Sequence, residues 1–364
     1  MRRAVIVNAK RTVIGKKNGI LRDYSPEKLA SLVMEELTKD LDAPVDEVIM
    51  GNAVGPGGNI ARLSALESGL DVRVPGVTID RQCGSGLEAI RMACHLIQGG
   101  AGDMYIAGGV ESTSQSPFEK RARFSPDSIG DPDMGIGAEN VAETYGITRE
   151  MQDEYALLSY QRSIDSLVKG NFSSELVDIE GIPPKDEAIH PKMNYERMLK
   201  RLSPYFKENG TVTIGNCCGV NDGAAAVLVM SEEKAEELNL KPILRFVDSS
   251  VAGVDPNYPP VGPIPAVTNL LSKNQLSMKD IDLIEINEAF AVKVALFARH
   301  FSIPYEIINP EGGAIALGHP YGASGAILVT RLFYEVQRRI SKYSLSTIGI
   351  GGGLGVAVLW EKVA

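Results

Sequence analysis

Cys83 stands in the stretch Thr78-Ile79-Asp80-Arg81-Gln82-Cys83-Gly84-Ser85-Gly86-Leu87, where an apolar, β-prone run (Val74, Val77, Ile79) meets three small residues. Leu87, Ile90, Met92, Ala93 and Ile97 then follow at helical spacing. The pattern predicts a strand, a tight turn and a helix that starts just beyond the cysteine. Such a place suits a nucleophile. The free amides of a helix N-terminus stabilise a nearby anion, so they lower a thiol's pKa and bind a developing oxyanion. Gly84 and Gly86 let a substrate approach the backbone. The competing reading is a buried, inert cysteine packing as a small hydrophobe.

Two further residues can join it. Of the four histidines, His319 lies in Gly318-His319-Pro320-Tyr321-Gly322-Ala323-Ser324-Gly325, a turn similar to that of Cys83. Pro320 holds the residue before it in an extended conformation. A cysteine with a histidine in reach can form an acyl thioester. Asn287, in Asn287-Glu288-Ala289-Phe290-Ala291, ends a predicted strand, where its amide can serve an oxyanion or hold a water. Capping the next helix is its plainer role.

The elements that carry these residues alternate as strand and helix, which predicts layered α/β architecture. Ser25-Pro26 reads as a helix start, Thr148 as the cap of a helix running to about Lys169, and a helix is expected near Gly137 to Tyr145. Thr211 to Gly223 reads as another strand, turn and helix. The last third repeats the first at an offset of about 240 residues. Asp46 to Asn52 echoes Asp282 to Glu288, Cys83-Gly84-Ser85-Gly86 echoes Gly322-Ala323-Ser324-Gly325, and Tyr105 to Gly109 echoes Ile348 to Gly353. Two similar halves with an insertion follow: an N-terminal half at 1–111, an inserted loop domain at 112–240 whose end rejoins that half, and a C-terminal half at 241–364. The insertion carries Lys192, Arg197, Lys200 and Arg201, a site for an anionic ligand or simply a solvated face.

The chain has 364 residues and a net charge of −9, which argues against nucleic acid as a partner. No apolar window approaches a membrane span of about 20 residues. The cysteines at 83, 94, 217 and 218 form no C-x-x-C pair, so neither a zinc site nor a redox motif is expected. Reduced thiols in a cytoplasmic protein are the simpler expectation.

Taken together, Lys10-Arg11-Thr12, Cys83-Gly84-Ser85-Gly86, Ala107-Gly108-Gly109-Val110-Glu111-Ser112, Gly215-Asn216 with Asn221-Asp222-Gly223, Asn287-Glu288-Ala289-Phe290, Gly318-His319-Pro320 and Gly351-Gly352-Gly353 resemble the thiolase family, the acetyl-CoA acetyltransferases. The resemblance runs nearly end to end. It implies a five-layered αβαβα fold of two similar halves, with the inserted loop domain holding coenzyme A. It implies that Cys83 is acylated, that His319 activates it and donates to one oxyanion hole with an Asn287-bound water, and that the amides of Cys83 and Gly351 form the other. Met134 and Phe290 would flank the thioester, and Cys218 would touch pantetheine where the family often has serine. With Lys200 and Arg201 these are the expected substrate-binding residues. Coenzyme A thioesters are expected as substrates, in fatty acid metabolism, without a further cofactor or metal.

The chain also departs from the family. Its second catalytic cysteine, in a C-x-G-G-G run, moves the proton of the second acyl-CoA; here Gly349 stands in its place. Some sterol-carrier-type members replace that cysteine within a modified Asn-Glu-Ala-Phe segment, but Ala289 occupies the position here. Asp133 stands where a histidine is usual, and the segment between Ser112 and Met134 is shorter than in tetrameric members, so a homodimer is expected. Three functions follow: a thiolase-type acyltransferase using Cys218, Cys217 or a His319-held water as base; an acyl-CoA transferase or thioesterase-like enzyme without carbon–carbon chemistry; or a non-catalytic CoA-binding subunit.

Overall fold

The computed structural model describes residues 2–116 and 121–363. Its strands are β1 (Ala4–Arg11), β2 (Gly15–Lys16), β3 (Glu47–Gly51), β4 (Gly76–Ile79), β5 (Met104–Ser112), β6 (Asn221–Ser231), β7 (Leu244–Gly253), β8 (Leu283–Ile286), β9 (Tyr343–Ile350) and β10 (Leu354–Lys362). The helices are α1 (Pro26–Thr38), α2 (Ile60–Glu67), α3 (Ser85–Gly99), α4 (Met134–Tyr145), α5 (Arg149–Lys169), α6 (Tyr195–Leu199), α7 (Glu232–Glu237), α8 (Pro263–Lys273), α9 (Ala291–Phe301), α10 (Ala314–Leu317) and α11 (Tyr321–Arg338).

The strands run β4-β3-β5-β6-β1-β7-β10-β9-β8, with β2 against β6. The two halves of this order repeat one another. β3 pairs parallel with β5 and β5 antiparallel with β6. In the second half β8 pairs parallel with β9 and β9 antiparallel with β10. The seam between halves, β1 against β7, is short: Val5 faces Arg245 and Ile6 faces Leu244.

Side-chain alternation explains the layers, since successive residues of a strand point to opposite faces. On β6, Ala225, Val227 and Val229 enter a core shared with α3, α11, β9 and β10. Ala224, Ala226, Leu228 and Met230 enter a second core under α1 and α2. A third core lies beneath α8 and α9 on the far side of β8 to β10. With both faces covered, β6 reads as an unbroken apolar run rather than an alternating one. The helices α3 and α11 therefore form the middle layer, and the expected layered α/β fold is present.

Local signals explain most helix ends. Thr148 accepts from Met151 N at 3.3 Å to start α5. Gly100 closes α3 in a left-handed conformation at φ 75°. Helix α4 begins earlier than the periodicity suggests, because Asp133 caps it through Gly135 N at 2.9 Å. The expected strand and helix over 211–223 are absent. Instead the Glu139 carboxylate takes the amides of Thr211 and Val212, each at 2.8 Å, and the chain turns until β6 begins at Asn221.

Candidate active site

The strand before Cys83 ends in a strained turn: Gln82 has φ 48°, unusual for a residue with a side chain. Neighbours hold it there. Gln82 N donates to Asp80 Oδ1 at 2.6 Å, Arg81 N donates to Ser85 Oγ at 2.8 Å, and Ser85 Oγ donates to the Gln82 carbonyl at 2.6 Å. Gly84 packs closely, since a Cβ there would lie 2.4 Å from Ile350 Cδ1 and that side chain would have to shift. Cys83 remains partly exposed at this bend. Its thiol is nevertheless pushed up to about 11 by burial, which outweighs the Lys293 charge and the amides of Gly351 and Cys83. The expectation of a depressed thiol pKa at the helix start is thus reversed: desolvation exceeds the helix-terminus effect.

His319 follows Gly318, which takes φ 115°, where a Cβ would strike the Asn221 side chain. Asn221 Oδ1 accepts from His319 N at 2.9 Å, and Asn221 Nδ2 donates to the Gly15 carbonyl at 2.9 Å. The imidazole is buried. Its Nδ1 is 2.5 Å from Ser324 Oγ, whose own proton goes to the Pro320 carbonyl at 2.9 Å. Nδ1 must therefore carry the hydrogen, which leaves Nε2 as an acceptor facing Asn287 Nδ2 at 3.4 Å. Burial, then the Lys293 charge, lowers this imidazole to about 3, so it is neutral at physiological pH.

Glycines join the two turns. A Cβ on Gly86 would lie 2.7 Å from the Gly322 carbonyl, so α3 and α11 meet backbone to backbone at their N-termini. Glu111, at the end of β5, accepts from Gly322 N at 3.0 Å and from Ala53 N at 3.1 Å, tying the halves together. Burial raises its carboxyl to about 7. The loop after β9 brings the Gly351 amide to the Cys83 sulfur.

The wall opposite is formed where the segment at Cys217 and Cys218 packs on Ala289 and Phe290. Cys218 N donates to the Ala289 carbonyl at 2.9 Å, and Cys217 bridges Phe290. Met134, Phe206, Cys218 and Phe290 share one apolar cluster. Cys218 also interacts electrostatically with Cys83. Burial raises the Cys217 thiol to about 12 and that of Cys218 upward as well, so both are poor candidates for a base. Lys200 and Arg201 lie on the surface beyond α6, with Lys200 2.5 Å from Glu196. The structure thus gathers Cys83, His319, Asn287, Gly351, Met134, Cys218 and Phe290, and sets the two basic residues apart as an exposed pair.

The family model of the thiolase N-terminal domain matches residues 4–233, and that of the thiolase C-terminal domain matches residues 240–362. The chain belongs to the thiolase family. It is 57% identical over 363 residues to YhfS of Bacillus subtilis (strain 168), which carries the provisional name acetyl-CoA C-acetyltransferase, covering 99% of this chain and 100% of that one. It is 45% identical over 387 residues to the similarly named VraB of Staphylococcus aureus (strain MSSA476), covering 100% of each. Among solved structures it resembles the Bacillus anthracis acetyl-CoA acetyltransferase (TM-score 0.92, 37% identity, covering 100% of this chain and 99% of that one). It also resembles human mitochondrial 3-ketoacyl-CoA thiolase in complex with CoA (TM-score 0.93, 36% identity, 100% and 98%). This thiolase is an acyltransferase of the family's type, and no helix among its described residues is long and apolar enough to cross a membrane.

One residue of this thiolase's site escaped the sequence reading. Lys293, on the first turn of α9, is 3% exposed and interacts electrostatically with Cys83, Cys218 and Glu288. Burial lowers its ammonium to about 8. The available signal was a lysine within the otherwise apolar run Ala289 to Phe297.

Proposed function

We propose that this thiolase carries an acyl group on Cys83 and passes it between coenzyme A and a second acyl-CoA, with 2 acetyl-CoA giving acetoacetyl-CoA and CoA as the short-chain case. In the free enzyme Cys83 rests as a thiol beside a neutral imidazole, given the raised thiol and lowered histidine. As a bound thioester displaces water, His319 Nε2 takes the thiol proton and the sulfur attacks the carbonyl. The amides of Cys83 and Gly351 receive the oxyanion, the carbon–sulfur bond to CoA breaks, and CoA departs as its thiolate, so the proton stays on Nε2 until it neutralises the released thiolate at the end of the cycle. Protonated Nε2, next to Asn287, then donates to the carbonyl oxygen of the second thioester. Met134, Phe290 and Cys218 line the pantetheine and acyl path, and Lys200 and Arg201 serve the phosphates of CoA at its mouth. The insertion at 112–240 acts as the CoA-holding cover between the two halves, 1–111 and 241–364.

The observation that carries this reading is the Gly86–Gly322 backbone contact, which sets the Cys83 and His319 turns side by side. The test is intact-mass spectrometry after acetyl-CoA or acetoacetyl-CoA is added, with Cys83→Ala as control and turnover followed in the same tubes. An acetyl adduct lost in Cys83→Ala, with acetoacetyl-CoA cleavage, is expected. No adduct with either donor would overturn the reading for short chains. Gly349, which has no side chain to move a proton, favours one second reading: acyl exchange between thiols without carbon–carbon chemistry, seen as an adduct without cleavage.

A homodimer is proposed as well. Edge strand β4 has neighbours Leu63 and Val72 that are 47% and 72% exposed, an arrangement that favours pairing with a second copy. Sedimentation equilibrium tests this. All four cysteines are free, in keeping with a reducing, cytoplasmic setting.

A further inference from the structure

Forming or cleaving a carbon–carbon bond next to a thioester requires a group that takes a proton from, or returns it to, the α-carbon. The groups considered so far serve this poorly. His319 is occupied with the Cys83 proton and the thioester oxygens, and the thiols of Cys217 and Cys218 are held protonated by burial. Gly349 offers no side chain, but its surroundings are informative. A Cβ built there would lie 3.3 Å from Lys293 Cδ, 3.1 Å from Pro263 Cδ and 3.3 Å from the Pro259 carbonyl. The lysine stem therefore runs along the glycine, close enough that a side chain at 349 would have to push it aside by a few tenths of an ångström.

We propose that the Lys293 amine is the acid and base of the carbon–carbon step. The inference rests on the acyl-Cys83 reading given above. In condensation the neutral amine takes a proton from the α-carbon of the second acyl-CoA, leaving an enolate and an ammonium. The enolate carbon attacks the Cys83 thioester carbonyl. A carbon–carbon bond forms, the carbon–sulfur bond to Cys83 breaks, and the electron pair leaves on the sulfur. The ammonium returns its proton to that thiolate. Cleavage runs the same steps backwards, so the proton count closes without any further reactant.

Three observations support this assignment. Lys293 is almost wholly buried, and such a lysine is costly unless it is used or neutralised. Among the described residues it forms no salt bridge. The groups that face it electrostatically are Cys83, Cys218, Glu288 and His319, which include the proposed nucleophile and its histidine. Its ammonium, lowered to about 8, is near enough to neutrality to lose and regain a proton.

The test separates proton abstraction from acylation. Exchange of the α-protons of acetyl-CoA into deuterated water is measured beside adduct formation on Cys83, in the wild type, Lys293→Met and Lys293→Arg. Lys293→Met keeps the stem without the amine, and Lys293→Arg keeps the charge without a usable base. The expected result is an adduct in all three, with exchange and carbon–carbon turnover down about 10²–10⁴-fold in both variants. Either variant exchanging within about threefold of wild type would overturn the proposal, as would parallel loss of acylation and exchange. A third readout needs no variant: wild-type exchange is expected to rise with pH to a plateau above about 8, and a flat profile from about pH 6 to 10 would sink the idea. A wild type that forms no adduct would remove the acyl-Cys83 reading, and this inference with it.

Discussion

Ser324 Oγ lies 2.5 Å from His319 Nδ1 while donating to the Pro320 carbonyl at 2.9 Å, so one hydroxyl sets the tautomer of the histidine. Ser324→Ala is expected to fold and to lose about five- to tenfold in acylation rate, the equivalent of one hydrogen bond of roughly 1 kcal/mol. Stopped-flow release of CoA on mixing with acetyl-CoA would measure it. A rate equal to wild type would mean that the backbone alone orients the ring.

Gly318→Ala should be more damaging. A Cβ at φ 115° meets the Asn221 amide at 2.4 Å, and Asn221 is the group that holds the His319 backbone. We expect a stability loss of about 1–3 kcal/mol, read from urea denaturation, together with a loss of turnover larger than unfolding explains.

Buried charge predicts a separate effect far from the chemistry. Arg11 is fully buried and reaches Asp186 and Glu175, each at 2.7 Å. Arg11→Met leaves two buried carboxylates without their cation, at a cost of about 3–5 kcal/mol. Thermal unfolding should show a clear drop in Tm, and an unchanged Tm would contradict the assignment.

The pH dependence of stability has two opposing parts. His319 falls from an ordinary 6.5 to about 3, so between these values the unfolded chain holds a proton that the folded one lacks. Its contribution is complete above 6.5 and is lost as pH falls toward 3. Glu111 rises from 4.5 to about 7, so the folded state holds the extra proton, and its contribution is lost as pH rises through that window. The two slopes cancel between 4.5 and 6.5, so His319→Asn should flatten the urea midpoints from about 3 to 4.5 and make them fall with pH above that, whereas Glu111→Gln should make them rise with pH from about 3 up to 6.5.

Thiol reactivity should follow access. Cys83 is partly exposed and Cys94 is fully buried, so iodoacetamide should modify Cys83 well before Cys94. An added acyl-CoA should protect Cys83. Peptide mass spectrometry after timed quenching would rank the sites, and equal rates would count against an open cleft at α3.

The residues that meet at the site were legible where chemistry and chain direction coincide. Cys83 and His319 sit at strand-to-helix turns, and the echo between Cys83-Gly84-Ser85-Gly86 and Gly322-Ala323-Ser324-Gly325 is realised in α3 and α11. What could not be read was anything set by packing. The thiol's raised pKa comes from atoms that close around it only after folding. The segment 211–223 looked like strand and helix because its apolar residues alternate, yet a distant carboxylate, Glu139, takes its amides. Lys293 is hard to recognise in the sequence because a lysine is ordinarily a surface residue. Its meaning depends on Gly349, which lies 56 positions further along the chain (349 − 293).

The contact of Gly86 with Gly322 has a mechanical consequence. Two backbones that touch directly have no side chain between them to change rotamer, so the seam has little compliance. A displacement of one half is handed to the other almost undiminished, and nucleophile and histidine move as one body. Precision at this joint is inherited from the methyl group missing at Gly86 rather than from any residue that takes part in the reaction.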